Sequence, residues 1–221
     1  MREMGCQEGA AHPSENGLFK DLRIKNAMLS VDRADFCPQN PYEDHPESIG
    51  YGATISAPHM HASALERLKD HLQEGDTALD VGSGSGYLTT CMALMVGRTG
   101  KVVGIDHVKE LVDLSIKNIE KNHPELLSSG RILMVEGDGR LGYPPSAPYK
   151  AIHVGAAAPD FPKNLIDQLA RGGRMLIPVG AARSNQKFVQ VDKDEDGRVT
   201  KRELMGVIYV PLTSKEEQLG R

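Results

Sequence analysis

Leu79-Asp80-Val81-Gly82-Ser83-Gly84-Ser85-Gly86-Tyr87 is the part of this 221-residue chain whose residue types and spacing most plainly serve chemistry. Glycines let the backbone turn tightly and let a ligand approach without meeting a Cβ. Asp106 follows twenty residues after Gly86. A carboxylate there can accept hydrogen bonds from both hydroxyls of a ribose. A glycine loop with such an acid is also how enzymes hold NAD, so the loop alone leaves the ligand open.

Three details shift the reading away from a pyrophosphate. The glycines are spaced G-x-G-x-G. Asp80 stands two residues before the first of them, where its charge suits a cation and opposes a phosphate. The sulfonium and amino groups of S-adenosylmethionine are cations of that kind. A third acid, Asp138 in Gly137-Asp138-Gly139-Arg140, could accept a hydrogen bond from an adenine amino group, although by itself it reads equally as a turn residue.

Other reactive side chains carry less. His59 and His61 are two apart and face different sides of a helix, which opposes a metal site. His153 falls in an apolar run and reads as a satisfied core residue, and Met92 and Met95 read as core packing. Asp192-Lys193-Asp194-Glu195-Asp196-Gly197, with Val199 and Glu203, fits the calcium-loop pattern of an EF-hand. Its flanks, 188–191 and 207–210, are strand-like, so the segment reads as a polar hairpin turn.

The elements that must position these residues are an alternation of strands and helices. Strands are expected at 77–81, 101–105, 131–136, 149–154 and 173–178. Helices are expected at 87–96, 109–122 and 162–169. Such an alternation implies parallel βαβ units, a sheet covered on both faces, and ligands at the strand ends. Residues 187–191 and 204–210 read as a closing hairpin that makes the sheet mixed. Ahead of the alternation, 18–28 loosely fits a helix, and 36–51 is extended and rich in Pro. Residues 57–72 form a helix with Ser56 as a candidate N-cap, Pro58 in the first turn and Gly75 ending the segment. Residues 1–16 are polar and without period, which predicts a loose tail ahead of a single domain at 17–221.

Composition narrows the function. A net charge of −4 lacks the basic excess of a nucleic-acid binder. Three widely spaced cysteines, Cys6, Cys37 and Cys91, imply neither a zinc site nor a disulfide framework, and point to a reducing compartment. No apolar run suits a signal peptide or a membrane span. The expectation is a cytosolic, monomeric protein without membrane or nucleic-acid partners.

The chain resembles the protein-L-isoaspartate (D-aspartate) O-methyltransferase family from about residue 16 to 218. The resemblance is carried by Asn40-Pro41-Tyr42, by residues 52–61 (GATISAPHMH), by the glycine loop, and by Val103-Gly104-Ile105-Asp106-His107. Gly137-Asp138-Gly139, residues 149–158 (YKAIHVGAAA), 169–174 (LARGGR) and 204–213 (LMGVIYVPLT) add to it. Residues 53–61 are specific to that family, whereas the glycine loop is shared by many methyltransferases. At residues 1–16 the chain departs from the pattern, lacking the leucines of the family's opening helix and carrying Pro13.

The resemblance implies a Rossmann-like S-adenosylmethionine-dependent methyltransferase fold, with a mixed seven-stranded sheet and helices on both faces. It implies methyl transfer to the free carboxylate of L-isoaspartyl and D-aspartyl residues in damaged proteins and peptides, leaving S-adenosylhomocysteine. It gives Ser56 the catalytic place. It associates Ala53, Thr54, Ile55, Ser56, His61, Asp80, Gly82, Ser83, Gly84, Asp106, His107, Asp138, Gly139, Thr213 and Gln218 with the cofactor.

The chemistry asks little of a base. An aspartyl-type carboxyl has a reference pKa of about 4 and is already ionised at neutral pH. Alignment of two bound reactants then does the work. Ser56 is expected to orient the carboxylate without forming a covalent intermediate, since a hydroxyl can accept and donate at once. The stretches 36–51 and 207–213 are candidate walls for an extended peptide. Two other readings predict different outcomes: a methyltransferase for a small molecule or RNA, and a non-catalytic cofactor- or calcium-binding module.

Overall fold

The computed structural model describes residues 21–182 and 184–220. The tail expected at 1–16, and the start of the helix expected at 18–28, lie outside the described residues. That helix, α1, runs Leu22–Ser30, capped by the Asp21 carboxylate accepting from Arg23 N. The Pro-rich stretch after it ends in a two-stranded antiparallel sheet, β1 (Glu47–Gly50) with β2 (Ala53–Ile55). Helix α2 follows at Pro58–Leu68. It stops earlier than expected, continuing as a single 3-10 turn, Lys69–His71.

The main body then alternates: β3 (Thr77–Val81), α3 (Tyr87–Met95), β4 (Lys101–Asp106), α4 (Lys109–Asn122), α5 (Pro124–Ser128), β5 (Ile132–Glu136), β6 (Tyr149–Val154), α6 (Lys163–Gln168) and β7 (Leu169–Val179). A hairpin, β8 (Gln186–Lys193) and β9 (Val199–Val207), and a short α7 (Lys215–Leu219) complete the chain. The seven-stranded sheet has the order β5-β4-β3-β6-β7-β8-β9. The first five are mutually parallel and β8 runs antiparallel to both neighbours.

Alternation along each strand sorts side chains onto two cores. Ala78, Val102, Ala151, Leu176 and Phe188 join α1 to α5 on one face. Leu79, Val81, Val103, Ile105, Ile152, Val154, Met175 and Ile177 join Leu165 of α6 on the other. This is the covered parallel sheet that the apolar runs predict.

The order reverses direction between β3 and β6: the chain moves from β3 out to β5, returns to β6, and continues to β7. In such open sheets the crevice outside the strand carboxyl ends at this switch point is where ligands bind. The calcium-like segment is a turn between strands, with Asp194 Oδ1 accepting from Arg198 N at 2.8 Å. Asp192, at its head, lies within β8 and is held by Arg174 and Gln190.

Candidate functional site

The glycine loop leaves β3 with Gly82, Gly84 and Gly86 all at positive φ (73°, 51° and 85°). Gly86 is also the N-cap of α3, and a Cβ there would lie 3.0 Å from Ser115 Cβ on α4, so only glycine fits both the turn and the packing. The loop is tied to the end of β4. Gly82 N donates to Ile105 O at 2.9 Å, and Gly84 N to Asp106 Oδ2 at 3.1 Å. Asp106 Oδ1 accepts from Val108 N at 3.0 Å, so this acid fixes the loop and the next helix together. Burial pushes its pKa up, and the two backbone N–H groups oppose the shift without cancelling it.

A cleft of two lobes opens over these strand ends. The outer lobe, about 530 Å³, is bounded by Ala53, Asp106, His107, Gly139, Thr213 and Gln218. The inner lobe, about 350 Å³, is bounded by Ser56, His61, Asp80, Ser83, Tyr87 and His153, with Ile55, Ser85 and Leu88 beside them. Thr54, Gly82, Gly84 and Gly155 belong to both. A single elongated ligand can therefore run across the loop.

All but one of the residues expected at a cofactor line this cleft. Asp138 does not: Arg140 takes both of its oxygens, with Nε 2.9 Å from Oδ1 and Nη2 2.8 Å from Oδ2. Those hydrogen bonds hold the carboxyl below its usual range, and Gly139 beside it takes the place on the wall.

Asp80 lies on the sheet face opposite Leu79 and Val81, paired in register with His153 of β6. Its Oδ1 meets His153 Nδ1 at 2.9 Å and its Oδ2 accepts from Thr89 Oγ1 at 2.6 Å. The charge expected to face a cation directly is thus spent on the protein. His153, read from sequence as core, is buried as expected but is also part of the wall.

Ser56 follows β2, and Ala57, rather than Ser56, is the N-cap of α2, without a side-chain cap bond. Pro58 at the first helical position sets that boundary. The Ser56 hydroxyl is free of capping and lies near the Tyr209 phenol, whose pKa burial pushes up. Tyr209 is locked in place by Gln186, which accepts from its N at 2.7 Å, and by Phe188 stacked at 6.4 Å. His59 turns outward to Asp44 while His61 is buried, as the spacing requires.

The tail closes the outer lobe. Ala157 N donates to Val210 O and Leu212 N to Ala157 O, both at 2.8 Å, which stitches residues 210–212 beside β6. Thr213 and Gln218 are thereby brought to the cleft. Gln218 Oε1 meets His107 Nε2 at 2.8 Å, and its Nε2 donates to Tyr51 O at 3.0 Å. Sequence reasoning missed Tyr87, His153 and Gly155 as wall residues.

Comparison with solved structures fixes the class first. A Plasmodium falciparum protein described as a protein-L-isoaspartate O-methyltransferase, solved with S-adenosyl-L-homocysteine, is 37% identical, with a TM-score of 0.84 over 90% of this chain and 94% of that one. The fold is the Rossmann-like fold of S-adenosylmethionine-dependent methyltransferases.

The family follows from sequence. The model described as "Protein-L-isoaspartate(D-aspartate) O-methyltransferase (PCMT)" matches residues 11–217, and the chain belongs to that family. A Caenorhabditis elegans protein-L-isoaspartate O-methyltransferase is 59% identical over 93% of this chain and 91% of its own length. A Triticum aestivum one is 52% identical over 92% and 89%.

Proposed function

We infer that this chain transfers a methyl group from S-adenosylmethionine to the free carboxylate of L-isoaspartyl and D-aspartyl residues in damaged proteins and peptides, initiating their repair. The observation that carries the reading is the two-lobed cleft. It sets a ribose-type acceptor, Asp106, in one lobe and Ser56 in the other, joined across one glycine loop.

The residues present fit the cofactor. Asp106 can accept from ribose hydroxyls while holding the loop that approaches the ligand. The buried Ser83 hydroxyl beside the inner lobe has no hydrogen-bond partner among the described residues, as expected of a group kept for a ligand. When bound, S-adenosylmethionine supplies an electrophilic methyl on a sulfonium centre. The isoaspartyl carboxylate is ionised at neutral pH and needs no base. Ser56, whose hydroxyl is not used as a helix cap, donates to that carboxylate and orients it.

The acceptor separates this reading from methylation of RNA or a small molecule. Paired peptides, identical except for isoaspartate against normal aspartate, are incubated with labelled S-adenosylmethionine. Base-labile label is expected on the isoaspartyl peptide only, and Ser56→Ala is expected to lower turnover about tenfold to a hundredfold with its fold intact. Label on neither peptide, with cofactor still bound, rejects the substrate. Unchanged turnover of Ser56→Ala removes that residue from the mechanism.

The same reading extends to a cytosolic monomer acting on proteins without membrane or nucleic-acid partners. The net charge of −4 and the free, buried thiols of Cys37 and Cys91 support it. Sedimentation and cell fractionation test it.

A further inference from the structure

Arg33, in the single 3-10 turn Arg33–Asp35, is only 5% exposed, and its Nε and Nη2 have no hydrogen-bond partner among the described residues. A buried guanidinium with no ion pair among the described residues is costly, so its place needs a reason. Its Nη1 lies 3.5 Å from His61 Nδ1, and its Cζ sits 5.7 Å from the centre of the Tyr87 ring, against which His61 also packs at 5.0 Å.

Arginine has donors only, so His61 Nδ1 must accept from it. Burial, reinforced by the Arg33 charge, holds the His61 pKa well below its ordinary value, so the ring is neutral. A neutral imidazole that accepts at Nδ1 carries its proton on Nε2. His61 therefore presents an N–H donor to the inner lobe that it lines.

His153, also on that lobe, is set the opposite way. Its Nδ1 meets the Asp80 carboxylate, which only accepts, while Thr89 holds the other carboxylate oxygen. His153 Nδ1 therefore carries a proton directed at Asp80.

We propose that Arg33 and Asp80 are positioning residues that lock His61 and His153 in opposite tautomers, one a donor and one an acceptor, and that this pair reads the carboxylate and ammonium of the amino-acid end of the cofactor. The proposal rests on the S-adenosylmethionine reading of the cleft. With the ribose at Asp106 in the outer lobe, the amino-acid end must cross the shared Gly82 and Gly84 into the inner one. A donor suits its carboxylate and a neutral acceptor suits its ammonium. The fixed tautomers supply both without adding a charge to a lobe that must also admit an anionic substrate.

Two measurements test this. Long-range ¹H–¹⁵N correlation spectra of the ligand-free protein report ring tautomers directly. Nε2–H is expected for His61 and Nδ1–H alone for His153, and the reverse form or an imidazolium at either ring overturns the proposal. Calorimetry then compares S-adenosylhomocysteine with 5′-methylthioadenosine, which keeps the nucleoside and sulfur but lacks the amino-acid end. Arg33→Met is expected to weaken the first roughly tenfold and leave the second within about twofold.

Equal weakening of both ligands, or of neither, rejects a role in reading that end. If wild type binds neither nucleoside, the cofactor reading itself fails, and the spectra still judge the tautomers. If Arg33→Met does not fold, the wild-type spectra decide alone.

Discussion

Asp106→Asn is an almost isosteric change at the point where loop, strand and ligand meet. The wild-type carboxylate gives one oxygen to Gly84 N at 3.1 Å and the other to Val108 N at 3.0 Å. An amide keeps one acceptor and turns its NH2 toward the second N–H, donor against donor. One charge-assisted bond is lost, about 1.5–3 kcal/mol, and the other becomes an ordinary one. Against this, the neutral side chain escapes the burial cost that pushes the Asp106 pKa up. The net loss of stability is then about 1–2 kcal/mol, a fall in Tm of roughly 2–8 °C for a domain of this size. Cofactor binding suffers more, because the acceptor for the ribose hydroxyls is weakened while the loop loosens. S-adenosylhomocysteine affinity is expected to drop by roughly tenfold to a hundredfold. Differential scanning calorimetry and ligand titration read the two effects separately. Wild-type values in both would refute the argument that this acid couples loop to ligand.

Gly86→Ala places a Cβ 3.0 Å from Ser115 Cβ on a backbone with φ of 85°, so a loss of about 2–3 kcal/mol is expected in chemical denaturation. Gln218→Ala releases both His107 and Tyr51 from the tail, and stopped-flow measurement should show faster dissociation of S-adenosylhomocysteine with the core stability unchanged. For Asp192, burial alone would raise the pKa, but hydrogen bonds from Arg174 and Gln190 outweigh it and leave the group below its ordinary value. Its contribution is therefore present above the unfolded carboxylate pKa and lost as pH falls through the lower folded one. Asp192→Asn should accordingly flatten the acid limb of a stability-against-pH curve.

Much of the sheet could be read from the sequence because its strands are covered on both faces. Thr77–Val81 and Tyr149–Val154 are short, mainly apolar segments, and Lys109–Asn122 has an apolar stripe; all three begin and end where the pattern places them. β9 is the opposite case. It begins at Val199, five residues before the expected start, and residues 199–203 are all exposed, leaving no buried face to read. The β1–β2 hairpin is too short, and α7 too polar, for periodicity to show.

At the site, the loop and Asp106 announce themselves by local spacing. The contacts that tune them do not. Asp80 and His153 are 73 residues apart, Arg33 and His61 are 28 apart, and neither pair has a pattern until the sheet and the helices bring its members together.

The antiparallel strand β8 settles where the chain finishes. Each hairpin reverses direction, so two reversals after β7 send β9 back toward the same rim from which β3, β4 and β6 discharge their loops. An odd number of turns would have delivered residues 208–220 to the far rim, some strand length away from Asp106. Parity of strand direction thus makes the C-terminal residues a fastener across the cleft, and it joins the mobility of the last helical turn to the residence time of whatever the cleft holds.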